Sequence, residues 1–489
     1  AALTNSAPCT ITLTTSVACP YSITLPPGFS LVGTDKDRCV LSFCNGDGIA
    51  LTANNRVTGI TVVAAPAARA IYTQTGMVDM GTLTLGNLAV TGQVSIITRT
   101  GTHRLHLVVD ELHIAACDAR RYSEQPQKYG VNVYQGALTV YNFNGDATSR
   151  INATLTNISV GAKSAPVLGS GIFVSGFGDQ GGQVELDTLT TGAVHSTGML
   201  PYGTADIITG GIFIVYGVHA KRVEHFGNIV TYGVNDMVLD TWGTVDRWVA
   251  HAPVISYGPS GIGFVNFGTV NDFVAEAEII TYGLGARGFN QYDGTVRNIR
   301  FKSIETFGDG SIGIQVSKPV GTITVDGDVT THGSIGNTLV KGVNMQLPAE
   351  AFSVKPGGVV EKLVVAGKLV SHGDNVTTYA VEGGKVLAID IKGQVLSNGQ
   401  NSDAILVAAQ GSTPLTGVQA RAKAGKVLVE KDGTITDPKP LAALEDFQQR
   451  LADLPGVQAV VGPSQVAKRV APLQERGNAI LTQEGNIGP

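Results

Sequence analysis

The chain has 489 residues, a formal net charge of −5 and 15% charged residues, and 62 of its residues are glycine. This balance argues against a basic nucleic-acid-binding surface and against the charge-rich composition of a disordered chain. No run of about 18 or more uninterrupted apolar residues occurs, so no membrane span is expected and the chain reads as soluble.

Four of the five cysteines, Cys9, Cys19, Cys39 and Cys44, fall at the start of the chain, and Cys117 is left over. Such clustering suggests a small N-terminal cap stapled by two disulfides in an oxidising compartment. The opening Ala1-Ala2-Leu3 fits a secreted protein from which a signal peptide has been removed. Four reduced thiols in a cytosolic protein are the alternative, since close spacing alone does not establish pairing. Residues 1–50 read as this cap and the first coils, with a cap strand at Ile23-Thr-Leu-Pro-Pro-Gly28 and coil segments at Leu31-Val-Gly33 and Gly46-Asp-Gly-Ile-Ala-Leu51.

Residues 51–436 read as one solenoid. Coils are irregular up to about residue 190, with a polar excursion from Asp118 to Tyr129 and extra residues from Met199 to Gly210. The pattern then becomes strict. Ile229-Val-Thr-Tyr-Gly233, Val254-Ile-Ser-Tyr-Gly258, Ile279-Ile-Thr-Tyr-Gly283, Ile304-Glu-Thr-Phe-Gly308 and Val329-Thr-Thr-His-Gly333 recur every 25 residues. After an insertion around Lys341 to Lys355 the motif resumes at Leu369-Val-Ser-His-Gly373 and Val395-Leu-Ser-Asn-Gly399, and Val194-His-Ser-Thr-Gly198 is an earlier member. A repeat of this length marks an architecture in which no unit buries its apolar face alone.

Alternation of apolar and polar residues in short runs bounded by Gly signals strands, so the fold expected is an all-β, right-handed parallel β-helix. The Ile/Val and Thr/Ser positions should point inward and the aromatic before each Gly outward. Gly is expected to supply left-handed or tight-turn backbone at a corner. Leu239, Phe264, Phe289 and Ile314 form a second inward ladder 25 residues apart. Insertions on a solenoid often wall a binding groove. Residues 437–489 read as a C-terminal helical cap or a docking segment, because Pro440 to Leu451 has helical spacing and helix-start signals and an uncovered last coil is an open sheet edge.

The entry segment through Val57-Thr-Gly-Ile-Thr-Val62 resembles pectate-lyase-like β-helices of polysaccharide lyases and hydrolases. The coils with Gly308-Asp-Gly-Ser-Ile-Gly-Ile314, His372-Gly-Asp-Asn375 and Gly357 to Gly367 look like autotransporter adhesin passenger domains. Both resemblances imply the fold; they lie in the coil and not in an active site. The paired-Asp and Gly-His-Gly motifs of polygalacturonases and the Arg-Pro pattern of pectate lyases are not found, nor is a C-terminal membrane barrel.

Outward-facing Trp242, Phe267 and Tyr292 form a strip on which a sugar ring could lie, or else rings that pack on each other or under a neighbouring turn. Asp240 and Asp293, about two coils apart, are the candidate catalytic pair, with carboxylates about 9 to 10 Å apart, near the upper end for an inverting glycosidase. Arg287, Asn290 and Gln315 would position substrate. Solvated acids on a solenoid face are the plainer reading. Arg247 with Asp272 and His251 with Glu276 are expected to pair across the ladder. No phosphate loop, nucleophile elbow, dinucleotide fingerprint or metal-ligand spacing occurs, so no cofactor or metal is expected. The preferred reading is a secreted or cell-surface glycoside hydrolase or polysaccharide lyase working in a groove on a polysaccharide or surface glycan. The alternative is a non-catalytic adhesin or filament subunit. Association into a trimer or filament could use a flat solenoid face or the aromatic strip.

Overall fold

The computed structural model describes residues 7–340 and 343–436. Among them the protein is all-β, with long parallel sheets and no helix. The 25-residue spacing sets the register. Ile229 pairs with Val254, Val254 with Ile279, Ile279 with Ile304 and Ile304 with Val329. Across the insertion Val329 pairs with Leu369, and Leu369 with Val395. Each strand therefore lies on its equivalent one repeat earlier, an arrangement compatible with a parallel β-helix.

A second parallel sheet carries Asp236–Thr241, Ile262–Asn266, Arg287–Gln291 and Ile312–Val316. Its inward column Leu239, Phe264, Phe289 and Ile314 is in register and fully buried. Phe264 stacks on Phe273 of the first sheet at 4.0 Å between ring centroids. Full burial of one such side chain stabilises by roughly 1.5–3 kcal/mol, so the core is the sum of many coil-to-coil contacts.

The inward hydroxyls Thr231, Ser256, Thr281 and Thr306 are buried, and the following residues stack outside. Tyr232, Tyr257, Tyr282, Phe307, His332 and His372 form one column with successive centroids 5.5, 5.0, 5.0, 4.5 and 5.0 Å apart. The glycine after each ring is required for a different reason than a left-handed backbone, since none of Gly233, Gly258, Gly283 or Gly308 has positive φ. A Cβ at Gly258 would lie 1.7 Å from the Gly233 carbonyl oxygen, and one at Gly283 would lie 1.9 Å from that of Gly258. Close approach of consecutive coils excludes any side chain there.

Two further expectations are corrected. The disulfide staple does not form: all five cysteines are free thiols. Cys19 sits opposite Phe43 on the neighbouring strand, and Cys44, whose amide donates to the Cys19 carbonyl at 3.0 Å, is exposed with its thiol unpaired. The Cys39 thiol instead donates to the Leu13 carbonyl at 3.0 Å. Of the two cross-ladder pairs, His251 and Glu276 meet at 2.7 Å, whereas Asp272 accepts from Asn298 at 2.9 Å. The helical segment expected within 437–489 lies outside the described residues.

The three insertions converge. Residues Gln127–Lys128 and Val131–Val133 form a small antiparallel pair, and Val131–Val133 pairs parallel with Ile207–Ile214. The strands Ile335–Val340 and Val343–Pro348 make a hairpin anchored where the Thr338 hydroxyl donates to the Gly310 carbonyl at 3.1 Å. Together these pieces cover the outer face of the second sheet and enclose a second apolar cluster that includes Tyr141, Phe173, Phe213, Trp242 and Tyr292.

Candidate functional site

That cover changes the meaning of the aromatic strip. Alternation along Asp236–Thr241 does send Asp240 and Trp242 to the outer face, but Trp242 is only 4% exposed and Tyr292 8%. Tyr129, from the polar excursion, stacks on Phe267 at 4.4 Å and meets Trp242 edge-on at 5.3 Å. Phe267 stacks on Tyr292 at 5.1 Å on its other side. Ring faces expected to receive a sugar are thus occupied by other rings. The covered strip is also closed to a second copy of the chain.

Asp240 and Asp293 sit in different surroundings, one buried and one at the surface. Asp240 is fully buried and neither carboxylate oxygen has a hydrogen-bond partner. Burial pushes its carboxyl well above the usual carboxylate range, against an opposing pull from the Trp242 indole. Asp293 lies in a half-exposed turn, 3.7 Å from the Lys318 ammonium. The candidate positioning residues do converge on one another under the cover. Arg287, 1% exposed, donates from Nε to the Gln315 Oε1 at 2.9 Å, and its guanidinium carbon lies 5.9 Å from the Tyr292 ring centroid. Asn290 is buried with both amide atoms unpartnered. Asp240, Arg287 and Tyr292 line a cavity of about 60 Å³ with Tyr129, Val265 and Leu339.

A larger depression lies on the other side of the Tyr129–Phe267 stack. This groove, about 390 Å³, is lined by Lys128, Asp179, Glu185, His219, Tyr129, Trp242 and Phe267, with turn glycines at Gly217, Gly243, Gly268 and Gly294. Lys128 pairs with Asp179 at 2.9 Å. His219 is held at both nitrogens, 3.1 Å from Glu185 and 3.0 Å from Asp246, and Asn271 donates to Asp246 at 3.0 Å. Parallel register places the Glu185 strand beside the His219 strand. All these carboxylates are partly exposed, so they can accept from the hydroxyls of a bound molecule while Lys128 donates. None of these groups was singled out from sequence. Lys128, Asp179, Glu185 and His219 lie before the strict 25-residue pattern begins, Asp246 and Asn271 lie one repeat apart within it, and no motif joins them.

Among the described residues there is no group of three or more His, Cys, Asp or Glu able to hold a metal, and no helix long and apolar enough to cross a membrane. No protein-family model matches the chain, and comparison with curated proteins and with solved structures finds no similar one.

Proposed function

We propose that the chain is a right-handed parallel β-helix of the pectate-lyase-like kind, secreted or displayed at a cell surface, and that it binds a polysaccharide or surface glycan without cleaving it. The observation that carries this reading is the groove of about 390 Å³ with charged hydrogen-bonding groups and turn glycines in its lining. Its volume falls within the range typical of small-molecule pockets. Recognition there runs through Lys128, Asp179, Glu185 and His219, because Phe267 is already stacked between Tyr129 and Tyr292. Support for the fold comes from the 25-residue register of the parallel strands, and the binding reading is favoured over hydrolysis because Asp240 is buried and Asp293 is at the surface.

A hydrolase or lyase working in the same groove keeps one support, the presence of Asp179, Glu185 and Asp246 within or beside it. The two readings separate in one experiment. Purified protein is screened against plant, algal and bacterial polysaccharides by retardation in affinity gels, with reducing-end and unsaturated-product detection in parallel. Retardation without product is expected. Product from any polymer establishes an enzyme, and neither retardation nor product removes the glycan reading.

A further inference from the structure

The small cavity under the cover has chemistry the groove does not use. Its walls are mostly apolar, yet two ionisable side chains reach it. Arg287 is 1% exposed and its Nη2 has no partner; Asp240 is 0% exposed and its carboxyl is approached only by the Trp242 indole, outside hydrogen-bond geometry. A third polar atom lining it, the Asn235 Oδ1, is unpartnered as well. Buried polar atoms are almost always hydrogen-bonded, so several around one cavity point to an occupant. Among the described residues no carboxylate lies within 4 Å of Arg287, whose one hydrogen-bonding partner is the neutral Gln315. The Tyr292 ring, 5.9 Å away, attracts the guanidinium but offers nothing for Nη2 to donate to. A buried charge left in this condition costs several kcal/mol unless a counter-charge accompanies it.

We propose that this cavity binds a small monovalent anion, a halide or a carboxylate group, with Arg287 as its counter-charge and Nη2 as the donor that holds it. Size limits the guest. About 60 Å³ is several times the roughly 10–15 Å³ that one water needs, enough for one halide or one carboxylate group. Water alone could satisfy the hydrogen bonds but would leave the guanidinium charge uncompensated. A carboxylate facing an anion would repel it; burial raises the Asp240 pKa and so favours the neutral carboxyl, in which one oxygen donates. Tyr129 and Phe267 line both this cavity and the groove, so the anion could be a free ion or the carboxylate of an acidic sugar entering past them.

The test uses bromide and formate as probes on the full chain. Crystals are soaked in sodium bromide and examined for anomalous scattering, and the urea midpoint is compared in bromide, formate and gluconate at one ionic strength, gluconate being too large to enter. An anomalous peak beside Arg287 Nη2 is expected, with a higher midpoint in bromide and formate than in gluconate. Val265→Phe, which fills the cavity and leaves Arg287 in place, should abolish both effects while the protein stays folded; Arg287→Met should abolish them too. Displacement of bromide by an oligouronate assigns the anion to a glycan carboxylate, and no displacement assigns it to a free ion. Equal midpoints in the three salts, with no peak, overturn the proposal. Because bromide and formate need no glycan, failure of the glycan reading leaves this outcome unaffected.

Discussion

His225 gives a pH dependence that follows from its surroundings. The ring is fully buried, 2.8 Å from the Thr191 hydroxyl at Nδ1, and it accepts at Nε2 from the Trp248 indole N–H at 2.7 Å. Indole can only donate, so Nε2 must be unprotonated and the proton sits on Nδ1. A second proton would have to face the indole N–H. Burial, with a smaller contribution from the nearby His251, lowers the pKa from 6.5 to about 3. A base whose folded pKa is depressed contributes stability above its unfolded pKa and loses it as pH falls toward the folded one. At 1.36 kcal/mol per pH unit, the loss is about 3 kcal/mol between pH 6.5 and 4.5 and approaches 5 kcal/mol at pH 3. His225→Gln keeps an acceptor for Trp248 and a donor for Thr191 but cannot titrate. Urea unfolding at pH 7.5 and 4.5 should show wild type losing about 3 kcal/mol more than the variant. Equal losses would refute the buried neutral imidazole.

Asp236 acts in the opposite sense. Burial raises its pKa from 3.8 to about 6, against hydrogen bonds from the Thr209 hydroxyl and the Gly233 and Gly198 amides; stability it contributes below pH 3.8 is therefore lost as pH rises to 6. Relative to Asp236→Asn, wild type should gain about 2 kcal/mol on going from pH 7.5 to 4.5, read in the same unfolding series. Phe264→Ala removes a ring stacked between Phe273 and Phe289 and should cost about 3–5 kcal/mol by urea unfolding; a loss below about 1 kcal/mol would contradict a shared core. Tyr257→Ala breaks two outer stacks, with Tyr232 and Tyr282, and should cost about 1–3 kcal/mol, while Tyr257→Phe should change the thermal midpoint little.

The strict half of the repeat was legible because every inward position keeps its distance from the next. Ile229, Val254, Ile279 and Ile304 pair in the order their spacing predicts. The earlier half was not, because its corner is turned by different residues. Gly59, Asn87, Glu111 and Asn157 all hold positive φ in one register column, and their uneven separations hide the period. Outer-face placement of Asp240, Trp242 and Asn290 also followed from alternation, whereas Arg287, two residues before the inward Phe289, breaks it. What alternation cannot reveal is the cover: Tyr129 reaches Phe267 across 138 residues of sequence, and a polar-looking excursion gave no sign that its tyrosine would close an apolar cluster. The disulfide expectation rested on clustering alone, and clustering did not decide pairing: Cys19 and Cys44 come beside each other, yet all five thiols are free.

The groove is tested most directly by calorimetric titration of the best-retained glycan against Glu185→Gln and Lys128→Ala, with Tyr257→Phe as a surface control. Hydrogen bonds to charged groups contribute about 1.5–3 kcal/mol, so each groove variant should bind roughly 10- to 100-fold more weakly while the control matches wild type. Unchanged affinity in both groove variants, with their thermal midpoints intact, would contradict the assignment of glycan binding to this groove.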